Sequence, residues 1–207
     1  MRGTVVFLAA LAATLLVVAA AATAAGAPSV TISLSRPSVV YGGSVSLSGK
    51  VSDTKAGQTV NVLAEPYPAT SFSALGSVTA TAGGRWTDVV KPTIETSYQA
   101  TWNSATSTTV TVKVRPLIAL TLVKLSTGTF STKVTAARSF ADKFVLVQRL
   151  TASDLATVKK LTLDDNSSAT FQVRLHQGRN RLRVVMSTSQ TAPGYITGMS
   201  KVLTVSR

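Results

Sequence analysis

The sequence predicts an all-β protein, two sandwiches in tandem behind an export leader. Three observations carry that expectation. Apolar and hydroxyl side chains alternate along short runs, the period of strands with one buried and one wet face. Ser, Thr and Val together outnumber the charged residues, which make up 14% of the chain, and such residues suit a pleat better than a helix. A second, diverged copy of the same order of turns and strands begins directly after Pro116, with no linker between.

Composition excludes several classes of chemistry. There is no cysteine, so neither a disulfide nor a thiolate nucleophile or metal ligand exists. Two domains of roughly 90 residues must be held by packing alone. The formal charge of +13 is unevenly placed: residues 28–115 carry seven Lys/Arg against four Asp/Glu, and residues 116–207 carry thirteen against four. The second domain is the basic one.

Residues 1–26 read as a signal peptide. Arg2 precedes an apolar run from Val5 to Ala22 broken only by Thr14, and Ala22-Thr23-Ala24 fits cleavage before Ala25. If left uncleaved, the run is long enough to serve as a membrane anchor, and membrane contact is expected only in that case. Either way the folded part is expected to be secreted or held at the cell surface.

The first domain is expected over residues 27–115. Val30, Ile32 and Leu34 alternate with Thr31, Ser33 and Ser35 until Pro37 interrupts the ladder. Tyr41-Gly42-Gly43 turns the chain into a strand at Val45, Leu47 and Val51. Lys55 to Gln58 turns it again towards Val60 and Val62. Pro66 and Pro68 predict a loop over Glu65 to Thr70. Phe72 to Thr81 reads as a strand, and Ala82-Gly83-Gly84 as a tight turn into Arg85 to Lys91 lying opposite it. Ser97 to Trp102 places Tyr98, Ala100 and Trp102 on one face, and Ser107 to Val114 closes the domain. Asp88 shares a face with Trp86 and Val90, which puts a carboxylate at a rim or the register off by one.

Seven short strands at this spacing point to a β-sandwich. The run Pro37 to Gly49, then Ala56 to Val60, Gly83-Gly84-Arg85-Trp86, Lys91-Pro92 and Ser97-Tyr98-Gln99-Ala100, resembles bacterial immunoglobulin-like repeats of secreted and cell-surface proteins, especially the actinobacterial type. The resemblance covers residues 29–115. It implies an immunoglobulin-like fold and a surface role, with no particular activity.

The second domain, residues 116–207, keeps the order. Thr129 to Ala136 and Phe144 to Arg149 are strands, with Asp142 where the first copy has Gly57. Ala156 to Leu163 and Ala169 to Leu175 read as a pair across Asp164 to Ser167, and Phe171 takes the role of Trp86. Arg181 to Met186 and Lys201 to Ser206 complete it.

No catalytic residue is assigned. His176 is the only histidine and lies in a turn without a base partner. Asp164-Asp165-Asn166 reads as a turn because calcium needs more oxygens than this cluster offers. No carboxylate pair, serine elbow or phosphate loop is spaced for catalysis, so no enzyme, cofactor or metal site is expected. Trp86, Tyr98 and Trp102 read as core, although an exposed set would make the protein a carbohydrate-binding accessory to a surface enzyme.

Arg179, Arg181 and Arg183 alternate with Asn180, Leu182 and Val184, so on a strand their guanidinium groups share one face. With Arg174, Lys159 and Lys160 on neighbouring strands, that face is a candidate contact for anionic cell-envelope polymer. An unidentified protein is the other expected partner. Specific nucleic-acid binding is not expected, since stacking aromatics do not interleave these cations.

Overall fold

The computed structural model describes residues 26–151 and 154–207. The leader and its cleavage point lie outside the described residues, Gly26 excepted. The first half forms β1 (Ser33–Leu34), β2 (Ser38–Val40), β3 (Val45–Lys50), β4 (Thr59–Pro66), β5 (Ser73–Thr79), β6 (Arg85–Val90), β7 (Thr96–Trp102), β8 (Ala105–Thr106) and β9 (Val110–Arg115). The second forms β10 (Leu117–Lys124), β11 (Thr129–Thr135), β12 (Phe144–Leu150), β13 (Leu155–Thr162), β14 (Ser168–Gln172), β15 (Arg179–Met186), β16 (Gly198–Met199) and β17 (Leu203–Ser206). One helical turn, α1 (Thr188–Thr191), follows β15.

The ladders draw four sheets. In the first half β1-β3-β6 faces β2-β9-β7-β4-β5, and β8 adds to β7. In the second, β10-β11-β14 faces β13-β12-β15-β16, with β17 also on β15. A three-stranded sheet with an early strand in its middle (β3, β11), set against a sheet that places a late strand (β7, β15) beside β4 or β12, is the immunoglobulin-like Greek-key order. Both halves follow it.

Alternation produces the core. On β4 Val60, Val62 and Ala64 point inward, on β7 Tyr98, Ala100 and Trp102, and on β3 Val45 and Leu47. Full burial of a side chain such as Leu47 stabilises the fold by about 2 kcal/mol. Trp86 on β6 is buried beneath Gly49 of the paired strand β3. Phe171 occupies the corresponding place on β14 and stacks on Phe130 of β11 at 5.9 Å between ring centroids.

The correspondence between the halves reaches the backbone. Gly57 has φ +93° and donates its N–H to Ala80 O; Asp142 has φ +62° and donates to Leu163 O. A left-handed residue therefore closes the same turn in each copy, on glycine in one and on aspartate in the other.

Several expectations need correction. The strand Phe72 to Thr81 does not pair with Arg85 to Lys91: β5 pairs with β4 and β6 with β3, so the Gly83-Gly84 turn carries the chain from one sheet to the other. Likewise β13 pairs with β12 and β14 with β11, and Asp164 to Ser167 is a crossover rather than a hairpin. Glu65 and Pro66 belong to β4, opposite Ser97 and Thr96, because the prolines act only from the strand's last residue onward. After Pro37 the chain changes sheets, and β2 runs parallel to β9. Lys201 to Ser206 is preceded by a separate short strand, β16.

The passage from one half to the other is direct, since β9 ends at Arg115 and β10 starts at Leu117. The loop between α1 and β16 packs back across it. Tyr195 Oη donates to Thr93 O at 2.7 Å and accepts from Ala137 N–H at 3.0 Å, linking a turn of each half. Glu95 N–H donates to Gly194 O and Ile196 N–H to Val114 O, each at 3.0 Å, and Arg115 Nη1 donates to Thr197 O at 2.7 Å. The Tyr195 ring is buried against Phe140, edge to face at 5.8 Å, and lies under the Arg138 guanidinium. Burial pushes the phenol's pKa up, more than the Ala137 hydrogen bond lowers it.

Candidate functional site

On β15 the alternation is complete. Asn180, Leu182, Val184 and Met186 are buried, while Arg179 and Arg181 are exposed and Arg183 is half-buried on the opposite face. The three arginines therefore share the outer face of the sheet. Arg183 lies opposite Gln148 of β12 and donates through Nε to its Oε1 at 2.9 Å. Arg181 lies between Leu150 of β12 and Thr204 of β17, and Arg179 opposite Ser206.

The remaining candidates sit differently from the sequence expectation. Lys159 and Lys160 belong to β13, which is separated from β15 by β12. Lys160 pairs with Leu146 and shares the outer face, its Nζ 3.9 Å from the centroid of the Phe144 ring. Lys159 pairs with the buried Val147 and points to the inner side, where Nζ donates to Gln172 O at 3.2 Å. Arg174 lies just beyond β14, on the chain of the opposing sheet. Adjacent residues on a strand point to opposite faces, so the Lys159-Lys160 pair cannot act as one patch.

Sequence reasoning missed Arg149. It alternates with Val145 and Val147 and pairs with the buried Leu182, so it occupies a core-facing position at the end of β12. Its guanidinium reaches across the open margin of the sandwich to Arg174 O and His176 Nε2. Its Nε is buried without a hydrogen-bond partner. The available signal was the break in the alternation Val145, Val147, Arg149.

Two clefts meet at Arg149. One, of about 360 Å³, opens between β13 and β14 and is lined by Arg149, Lys159, Gln172, Arg174 and His176. The other, of about 460 Å³, lies at the start of β15 and is lined by Arg149, His176, Arg179 and Arg181. Among the described residues neither lining contains a carboxylate. The hydrogen bonds of Arg149, Lys159 and Arg183 all run to groups that carry no negative charge. Asn180, buried below, fixes the intervening turn by accepting from His176 N–H and donating to His176 O and Gly178 O.

The other sequence candidates take structural places. Asp164 Oδ1 accepts from Asn166 N–H and Ser168 N–H, each at 2.9 Å, which is turn geometry. Trp86 and Trp102 are only 2% and 6% exposed, and Tyr98 is buried with them, so these residues form no solvent-facing sugar platform. Asp88 faces the rim as its parity implied: it is half-buried and lines a cleft with Leu75 and Tyr98. Burial, aided by the Asp88 charge, pushes the Tyr98 pKa up against the Thr96 hydrogen bond.

Fold and site together define a chain of tandem immunoglobulin-like β-sandwiches with a basic second half. No family model matches it, and no curated protein does. Among solved structures it is similar to a tetra-tandem repeat from the extending region of a large adhesion protein, at 12% identity and a TM-score of 0.36, over 86% of this chain and 49% of that one. The chain thus spans about half the length of that structure. A cytokine receptor complex matches at 11% identity and TM-score 0.43, covering 86% and 95% of the two chains. The chicken CNTN1 FN1–FN3 domains match at 14% and 0.29, covering 87% and 68%. The fold class rests on the strand order and ladders above.

Proposed function

We propose that this is an extracytoplasmic, non-catalytic protein of two domains, residues 27–115 and 116–207, serving as a binding and spacer module at a bacterial cell surface. Its second domain holds an anionic envelope polymer. The observation that carries the reading is the row Arg179, Arg181 and Arg183 on the outer face of β15, extended across the sheet by Lys160. Like charges are gathered there at the expense of mutual repulsion, which a polyanion relieves. The spacer role is supported by the hydrogen bonds of the 194–197 loop, which resist bending at Pro116. The resemblance to actinobacterial surface repeats and the leader-like first 26 residues support the location.

The test is sedimentation of the chain from Ala25 onward with purified cell envelope, beside a variant with Arg179, Arg181 and Arg183 all changed to Ser. Binding that is lost in the variant supports the reading. Equal binding by both proteins removes it.

A further inference from the structure

We infer that the open margin of the second sandwich, between β13 and β14, is a phosphate-binding cleft formed by Arg149, Lys159 and Arg174 with His176. It deepens the polymer reading and rests on it for the source of the phosphate, but it places a defined anion site on the inner side of the sheet, next to the cleft that Arg179 and Arg181 line.

Arg149 and Lys159 stand at positions that would point into the core, opposite the buried Leu182 and Val147 respectively. Arg149 is half-buried there and Lys159 exposed at the open margin, so the desolvation cost falls on the Arg149 guanidinium, which charge of the other sign would offset. Their partners are the Gln172 and Arg174 carbonyls and the His176 imidazole, all without negative charge to offer. The Nε of Arg149 is buried and unpartnered. As staples across the margin, two neutral donors would satisfy the same carbonyls. Two full charges, with the exposed Arg174 beside them, leave the cleft with an uncompensated positive charge.

The geometry favours phosphate over carboxylate. Cations enter the cleft from three separate segments: the end of β12, the middle of β13 and the chain beyond β14. A tetrahedral anion presents oxygens in three directions, whereas a carboxylate presents two in one plane, suited to a single guanidinium fork. Arg149 also lines the adjoining cleft with Arg179 and Arg181. Successive phosphates of one polymer can therefore occupy both clefts, and the second contact forms at high effective concentration.

The test uses the chain from Ala25 onward, which contains every described strand, and follows backbone amides by NMR. The probes are inorganic phosphate, pyrophosphate, inorganic polyphosphate and, as a polycarboxylate, polyglutamate. Pyrophosphate is expected to shift the amides of residues 149, 159 and 172–176. Arg174→Ser and Lys159→Met are expected to weaken it roughly tenfold each. In Arg174→Ser the melting temperature should be unchanged, because the backbone carbonyl of Arg174, not its side chain, receives Arg149. Polyphosphate binding much tighter than that of inorganic phosphate identifies a polymer rather than the free ion as ligand. Silent margin amides, undiminished affinity in both variants, or polyglutamate binding as tightly as polyphosphate would overturn the inference. If pyrophosphate leaves the margin silent while envelope binding is lost in the Arg179/Arg181/Arg183 variant, the cleft fails and the outer-face reading stands. If pyrophosphate binds at the margin and that variant still holds envelope, the outer-face reading fails and the cleft remains.

Discussion

Tyr195→Phe tests whether the contact between the two halves contributes to stability as its geometry implies. The substitution keeps the ring against Phe140 and Arg138 and removes only the hydroxyl, which donates to Thr93 O at 2.7 Å and accepts from Ala137 N–H at 3.0 Å. Two hydrogen bonds at about 1 kcal/mol net each give a loss of about 2 kcal/mol. In a chain of this size that lowers the melting temperature by about 4–8 °C. A pH dependence accompanies it. Burial raises the Tyr195 pKa above its ordinary value of 10.0, so the group's contribution is fully present below that value and is lost as pH climbs through the folded pKa. Thermal melts by circular dichroism from neutral to strongly alkaline pH should show the parent losing stability above pH 10 and the variant losing less. A variant melting within about 1 °C of the parent, with the same alkaline decline, would refute the reasoning.

Gly49→Ala should destabilise by about 3 kcal/mol or more, because a Cβ there would sit 1.8 Å from Thr31 O and 2.7 Å from Trp86 Cε2; a melt followed by tryptophan fluorescence reads the loss. Asp142→Gly should stabilise by about 0.5–1 kcal/mol, since the residue holds φ +62° where the other copy uses glycine, and a lower denaturant midpoint would contradict this. Phe130→Ala, at a fully buried position stacked on Phe171, should cost about 3–5 kcal/mol in urea unfolding. Tryptophan emission should resist iodide quenching and stay unchanged on adding neutral polysaccharide, as both indoles are buried; a large shift would revive the sugar-binding reading.

Much of the fold was legible because alternation sets which face of a strand is buried. The Arg179 row on β15, the core aromatics on β7 and the Asp164 turn all follow from local pattern. Partner choice does not. A Gly-Gly turn looks the same whether it closes a hairpin or carries the chain between sheets, so the true partners of β5 and β6 were hidden, as were those of β13 and β14. The parallel pairing of β2 with β9 depends on a partner more than seventy residues away. The same limit hid the site's centre. Arg149 is marked in the sequence only by the break in alternation after Val147, which gains its meaning once β15 places the buried Leu182 opposite it, and Tyr195 stands out only once its hydroxyl is found on Thr93.

The central claim, that the second half carries an electrostatic anchor, is tested most directly by the salt dependence of envelope binding. Affinity should fall steeply as salt rises, and the slope against log salt should flatten by about 2–3 when Arg179, Arg181 and Arg183 become Ser, since each released contact removes close to one unit. A binding curve that ignores salt, or an identical slope in parent and variant, would contradict it.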